Sequence, residues 1–111
     1  MTVQEVLESV VDRFNRHAAR TPSVAEELAG LERTIQVRLT DGETYAVDLT
    51  RGQLANLRTG AAAHADVTIT TDTRTFHALV KKEMGPMKAL VTRKLSIDGS
   101  LEDKLLFRKL L

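Results

Sequence analysis

Residues 34–49 read TIQVRLTDGETYAVDL, and the fold turns on this stretch. Thr34-Ile35-Gln36-Val37-Arg38-Leu39 alternates apolar with polar side chains, the period of a strand with one buried face. Asp41-Gly42 follows, a pair that tolerates positive φ and so favours a hairpin turn. Thr44-Tyr45-Ala46-Val47-Asp48-Leu49 alternates again, which predicts a strand returning antiparallel. Further along, Arg51-Gly52 is a second turn and Gln53 to Thr59 a weaker third strand. A small-residue connection, residues 60–65, leads to the β-branched fourth strand Val67-Thr68-Ile69-Thr70-Thr71.

On both sides of this four-strand region (32–71) the period changes to that of a helix. Upstream, in residues 1–30, Val3, Val6, Leu7, Val10, Val11, Phe14 and Ala18 keep the spacing of one helical face. Thr2 and Glu5 have the form of a capping box at its start. Thr21-Pro22 reads as an N-cap with proline at the first position of a second helix, closed by Gly30. Downstream, in residues 72–111, Asp72 or Thr73 caps a helix to about Glu83, and Gly85-Pro86 breaks it. A short helix then carries Met87, Leu90 and Val91. Leu95-Ser96-Ile97 is a fifth strand ended by Asp98-Gly99, and Ser100, with Asp103 at the fourth place of a capping box, opens the terminal helix. The expectation is one α+β domain over residues 1–111, built in two layers.

Composition narrows the function. The 111 residues are 42% apolar, enough for one core, and 4% aromatic, too few for a protein that stacks single-stranded bases, so no nucleic-acid partner is expected. The absence of Cys excludes a disulfide scaffold, a Cys-ligated zinc site and a thiol nucleophile. No segment reaches the ~20 apolar residues of a membrane span, and the acidic N-terminus does not resemble a signal peptide. A soluble, cytoplasmic protein is expected. The net charge of +1 hides an asymmetry: residues 1–73 carry 7 basic and 11 acidic side chains, residues 74–111 carry 9 and 4, and every Lys lies in the second part. Such a basic sector suits anionic head groups, an anionic membrane surface met transiently, or simple solvation.

Catalytic patterns are lacking. His17, His64 and His77 fall in three elements without metal-ligand spacing, and no GxSxG elbow, P-loop or dinucleotide fingerprint occurs. The chain is read as no enzyme, with no cofactor and no metal. Met84 and Met87 flank the Gly85-Pro86 break, and their flexible thioethers suit either the wall of an alkyl-chain pocket or ordinary core filling. The terminal helix has Leu101, Leu105, Leu106, Phe107, Leu110 and Leu111 spread around its axis. It can cover a cavity mouth, pack at a subunit interface, touch lipid, or end loosely in solvent.

From about Ile35 to Leu111 the sequence resembles the sterol carrier protein type 2 family. The resemblance rests on Leu39-Thr40-Asp41-Gly42 with Tyr45-Ala46-Val47-Asp48-Leu49, then Ala65-Asp66-Val67-Thr68-Ile69-Thr70, then Asp72, Phe76 and Leu79. Gly85-Pro86-Met87-Lys88-Ala89 and Lys94-Leu95-Ser96-Ile97-Asp98-Gly99 complete it, in the family's order and spacing. It implies a mixed five-stranded sheet covered on one face by helices, with an apolar cavity between the layers, and a non-catalytic carrier of a fatty acid, fatty acyl-CoA, isoprenoid or sterol. The sequence departs from the family at Lys82, at Thr92-Arg93 (usually a small residue and Gly) and at Ser100 (usually Asp).

With that resemblance, Phe76, Leu79, Val80, Met84, Met87, Leu90 and Val91 are expected along the cavity, joined by Leu105 and Leu106 from the terminal helix. Lys81, Lys82, Lys88 and Arg93 are expected at its rim, facing a head group or membrane. Burial of each methylene is worth roughly 0.8 kcal/mol, so alkyl chains need no specific polar contact. The alternative is a module of the same fold that dimerises or docks on an enzyme of lipid or quinone metabolism without transferring lipid. Monomer and homodimer are both compatible with the sequence.

Overall fold

The computed structural model describes the backbone of residues 2–110 and the side chains of residues 2–105. Its elements are α1 (Val3–Arg20), α2 (Pro22–Leu28), β1 (Glu32–Leu39), β2 (Thr44–Thr50), β3 (Gln53–Thr59), β4 (Val67–Thr71), α3 (Thr73–Val80), α4 (Pro86–Val91), β5 (Leu95–Asp98) and α5 (Leu101–Leu110). The five strands form one sheet in the order β3-β2-β1-β4-β5. β1 and β4 run parallel and the other neighbours antiparallel, so the sheet is mixed. Its register puts Ile35 beside both Val47 and Val67, and Val37 beside both Tyr45 and Ile69. One face is therefore apolar across the sheet, and α1 lies on it. The opposite face carries Gln36, Asp48, Thr68 and Ser96, and the chain from β3 to β4 crosses it, held where the Ala62 N–H donates to Gln36 Oε1 at 3.0 Å.

Two core clusters fill the helical side. Val6 and Leu7 of α1 meet Leu39, Tyr45 and Phe76 in one, and Leu28 of α2 meets Ile35, Val47 and Leu49 in the other. Local chemistry explains the element ends. Thr2 and Glu5 form the full capping box of α1. Asp72 caps α3, accepting from the Thr75 N–H at 2.7 Å and the Thr75 hydroxyl at 2.9 Å. Gly99 brings the end of β5 against β4: a Cβ there would lie 2.9 Å from the Asp66 carbonyl oxygen.

Three local expectations are corrected. Positive φ occurs not at Asp41-Gly42 but at the next turn, where Arg51 and Gly52 stand at φ 52° and 77°, as a two-residue type I′ hairpin requires. The β1–β2 loop is longer, and Asp41 serves another element, accepting from the Thr73 N–H and hydroxyl, both at 2.8 Å. Asp103 does not complete a capping box. Ser100 Oγ accepts from the Asp103 N–H, but the Asp103 carboxylate turns to Arg33. Finally, α3 stops at Val80 rather than near Glu83. Its end is a Schellman turn, with the Lys82 N–H on the Leu79 carbonyl, the Glu83 N–H on the Ala78 carbonyl, and Lys82 at φ 60°. α4 ends the same way around Arg93 at φ 62°, a conformation that favours glycine.

Candidate functional site

The apolar stripe of α1 crosses the sheet without filling the space beneath it. A cavity of about 160 Å³ remains, walled by Leu7, Val10, Val11 and Phe14 above and by side chains of β1 to β4 below, including Val37, Val47, Leu54, Leu57 and Ile69. Among the described residues no charged side chain lines it. Tyr45 brings a hydroxyl, but that group donates to Glu43 Oε2 at 3.3 Å. Burial of the ring, helped by the Glu43 charge, raises the Tyr45 pKa and keeps the phenol neutral. Among the described residues no buried side-chain polar atom lacks a partner. The described lining of the cavity is thus apolar, with the Tyr45 hydroxyl already engaged by Glu43.

At the outer edge of the sheet α1 is clasped to β3. The Leu54 N–H donates to Asn15 Oδ1 at 2.7 Å, and Asn15 Nδ2 donates to the Leu54 carbonyl at 3.0 Å. One side-chain amide so satisfies both backbone groups of an edge-strand residue, as a neighbouring strand would. Asn15 follows Phe14 on the helix, so the clasp closes the cavity on the β3 side.

A second apolar space lies at the other end of the sheet. Met87, Leu90 and Val91 of α4, Ile97 of β5 and Lys104 of α5 line an open groove of about 290 Å³. Ile97 stands directly opposite Ile69 in the β4–β5 ladder, on the same face of the sheet. Ile69 walls the cavity and Ile97 walls the groove, so the two spaces lie on either side of one pair of neighbouring side chains. Met87, Leu90 and Val91, expected along one cavity with Phe76, Leu79, Val80 and Met84, line this open groove instead. Phe76 and Val80 lie elsewhere, in the core cluster with Val6 and Leu7. Leu79 and Met84 are half-buried, and Leu105 is exposed. Leu106 lies outside the residues whose side chains are described. Lys82, Lys88 and Arg93 are exposed, and Lys81, also exposed, borders a third hollow with Arg74, His77 and Glu83.

Six participants were not singled out from the sequence. The cavity-lining Val10, Val11, Leu54 and Leu57 carry no signal beyond that of ordinary core, because periodicity reports which face is covered and not how tightly. Asn15 is a polar residue on an amphipathic helix until the β3 edge is placed beside it. Lys104, half-buried in the groove wall, was one charge among several on the terminal helix.

The groove's floor is positioned by α5, which an ion pair fixes to the sheet. Arg33 Nε donates to both Asp103 carboxylate oxygens, at 3.0 and 3.1 Å, with Asp103 almost fully buried. This hydrogen bond holds the guanidinium in its charged form, raising its pKa further. Thr71, buried at the end of β4, donates from its hydroxyl to the Lys94 carbonyl at 2.8 Å and ties down the chain entering β5. No cluster of His, Asp or Glu among the described residues is arranged to hold a metal ion.

The model of the SCP-2 sterol transfer family matches residues 13–111. The chain belongs to that family. Its fold is similar to the solution structure of palmitated SCP2L2 from Aedes aegypti, at 20% identity and a TM-score of 0.68, over 99% of this chain and 94% of that one. It is also similar to the ubiquinone synthesis protein UbiJ-SCP2, at 14% identity and a TM-score of 0.62, over 90% and 84% of the two chains. A stereoselective inverting sec-alkylsulfatase from Pseudomonas sp. matches 78% of this chain at 22% identity and a TM-score of 0.61, but the match spans only 14% of that enzyme. No curated protein matches the chain. Among the described residues, no helix of this family member is long and apolar enough to cross a membrane.

Proposed function

We propose that this chain is a non-catalytic lipid carrier whose ligand is a flexible single-chain amphiphile, a fatty acid or related acyl or isoprenoid chain. The alkyl chain lies along the helical face of the sheet, from the α4–α5 groove across the Ile97–Ile69 pair into the cavity under α1. Lys104 at the groove meets the acidic head group, with Lys88 and Arg93 outside it. The observation that carries this reading is the cavity wall, apolar and without an unpaired polar group, which rewards the burial of methylenes and nothing else. Ligand pockets usually hold roughly 300–1,000 Å³, and the cavity alone, at about 160 Å³, falls short. A flexible chain can thread it in series with the groove, whereas the rigid rings of a sterol cannot. Membership of the family and the likeness to a palmitated relative support the same class of ligand.

Competition tests the reading. A fluorescent fatty acid should bind the full chain and be displaced by palmitate, and much less well by cholesterol. A protein that binds neither, and that carries no lipid in native mass spectrometry, would refute it. Displacement by cholesterol alone would refute the choice of ligand.

A further inference from the structure

The passage for the alkyl chain runs across the strands. Ile97 of β5, Ile69 of β4, Val37 of β1 and Tyr45 of β2 stand side by side in one row, and β3 adds Leu54 and Leu57 at the cavity's far wall. β3 is the edge of the sheet, so among the described residues no further strand lies beyond that wall. Asn15 stands there instead. Its side-chain amide accepts from the Leu54 N–H at 2.7 Å and donates to the Leu54 carbonyl at 3.0 Å. Both bonds go to the backbone of a residue whose side chain lines the cavity, and Asn15 itself follows Phe14, which lines it from α1. Asn15 is half-buried, between the apolar space and water. A chain end pressing outward on this wall must break both hydrogen bonds at once.

We propose that the Asn15–Leu54 clasp is the end-stop of this passage and sets the longest alkyl chain that the carrier encloses. The inference rests on the lipid-carrier reading and gives its ligand a length. Four strand spacings of about 4.8 Å, roughly 19 Å in all, separate β5 from β3. An extended carbon chain advances roughly 1.2 Å per bond, as an extended backbone does. The passage therefore takes a chain of about sixteen carbons. A shorter chain leaves part of the cavity empty. A longer one is forced against the clasp, an overpacking that costs about tenfold or more in affinity. Without the clasp the extra methylenes pass out over the β3 edge, where they gain no burial but no longer displace α1.

A chain-length series tests the proposal. Laurate, shorter than the passage, palmitate, which matches it, and behenate, which exceeds it, are each titrated against a fluorescent fatty acid bound to the parent and to Asn15→Ala. The ratio of the two affinities is taken acid by acid, which cancels the solubility of each acid. It should stay near one for laurate and palmitate, and for behenate it should favour Asn15→Ala by about tenfold or more. A clasp that only covers the sheet edge would move all three ratios together, and that result would overturn the proposal. So would a parent whose affinity keeps rising from palmitate to behenate by the roughly fourfold per methylene that continued burial provides. Where Asn15→Ala fails to fold, Asn15→Asp, which still accepts from the Leu54 N–H but no longer donates to the carbonyl, carries the same comparison. Laurate and palmitate that fail to displace the probe from the parent refute the carrier reading itself; displacement with equal ratios refutes the end-stop alone.

Discussion

Val11→Phe sets stability against function at the cavity. Val11 lies on the underside of α1 and lines the space of about 160 Å³. At ~24 cal/mol per Å³, leaving that space empty costs on the order of 4 kcal/mol. A larger side chain that fills part of it should recover about 1 kcal/mol, within the range that cavity filling commonly yields. Valine and phenylalanine have similar helix propensities, so the helix itself is little affected. The expected outcome is unusual for an enlargement in a core: the denaturation midpoint rises while affinity for a fluorescent fatty acid falls by about tenfold or more, because roughly two methylenes or their equivalent lose their place. Val10→Phe, from the neighbouring wall position, should do the same and guards against one ill-fitting rotamer. If both variants lose stability and bind fatty acid like the parent, α1 covers a packed core and the alkyl chain lies elsewhere.

Other perturbations follow from named contacts. Asn15→Ala removes two hydrogen bonds at the β3 edge; since water can replace part of them, stability should fall by about 1–2 kcal/mol in urea titration, and an unchanged midpoint would mean the clasp does not hold in solution. Asp103→Ala leaves Arg33 without its partner, and with the Arg33 side chain 27% exposed the loss should be about 2 kcal/mol rather than the larger cost of a fully buried pair, again read from the denaturation midpoint. Arg93→Gly relieves a left-handed residue at the end of α4 and should raise stability by roughly 1 kcal/mol, read as a higher midpoint in urea. Asp41 and Asp72 have pKa values lowered by backbone hydrogen bonds from Thr73 and Thr75 respectively. Their contribution is complete above the unfolded carboxylate value of about 4 and is lost as pH falls below it toward the folded values. The parent should therefore weaken on acidification through that window, and Asp41→Asn should show a shallower dependence there.

Much of the fold was legible because two periods meet in the sequence. Alternation from Thr34 to Leu49 could only be a pair of strands, and the stripe from Val3 to Ala18 could only be a helix with one covered face. What alternation cannot supply is which strands are neighbours. The family resemblance implied a mixed sheet but not its order; the parallel pairing of β1 with β4 is seen in the register of Ile35 with Val67. Turn chemistry misled where side chains had other partners: Asp41 looked like a hairpin residue and anchors Thr73, and Asp103 looked like a cap and holds Arg33. In three dimensions Lys82 and Arg93 are the left-handed residues that end α3 and α4, and nothing in the structure explains why neither is glycine. The methionines and the Gly-Pro break pointed to Met87, Leu90 and Val91 as cavity residues, and the structure sets them in an open groove with Ile97 and Lys104. The cavity under α1 left no mark in the sequence, because an apolar side chain beside a void reads like one beside a neighbour.

Photo-labelling tests most directly whether groove and cavity hold one ligand. Palmitate carrying a diazirine near its methyl end, and a second palmitate carrying it near the carboxyl, are cross-linked to the full chain and the labelled peptides mapped by mass spectrometry. The methyl-end probe should label α1 and β3, around Val10, Val11, Leu54 and Leu57, and the carboxyl-end probe should label α4 and α5. Labelling confined to α4 and α5 by both probes would contradict a shared ligand.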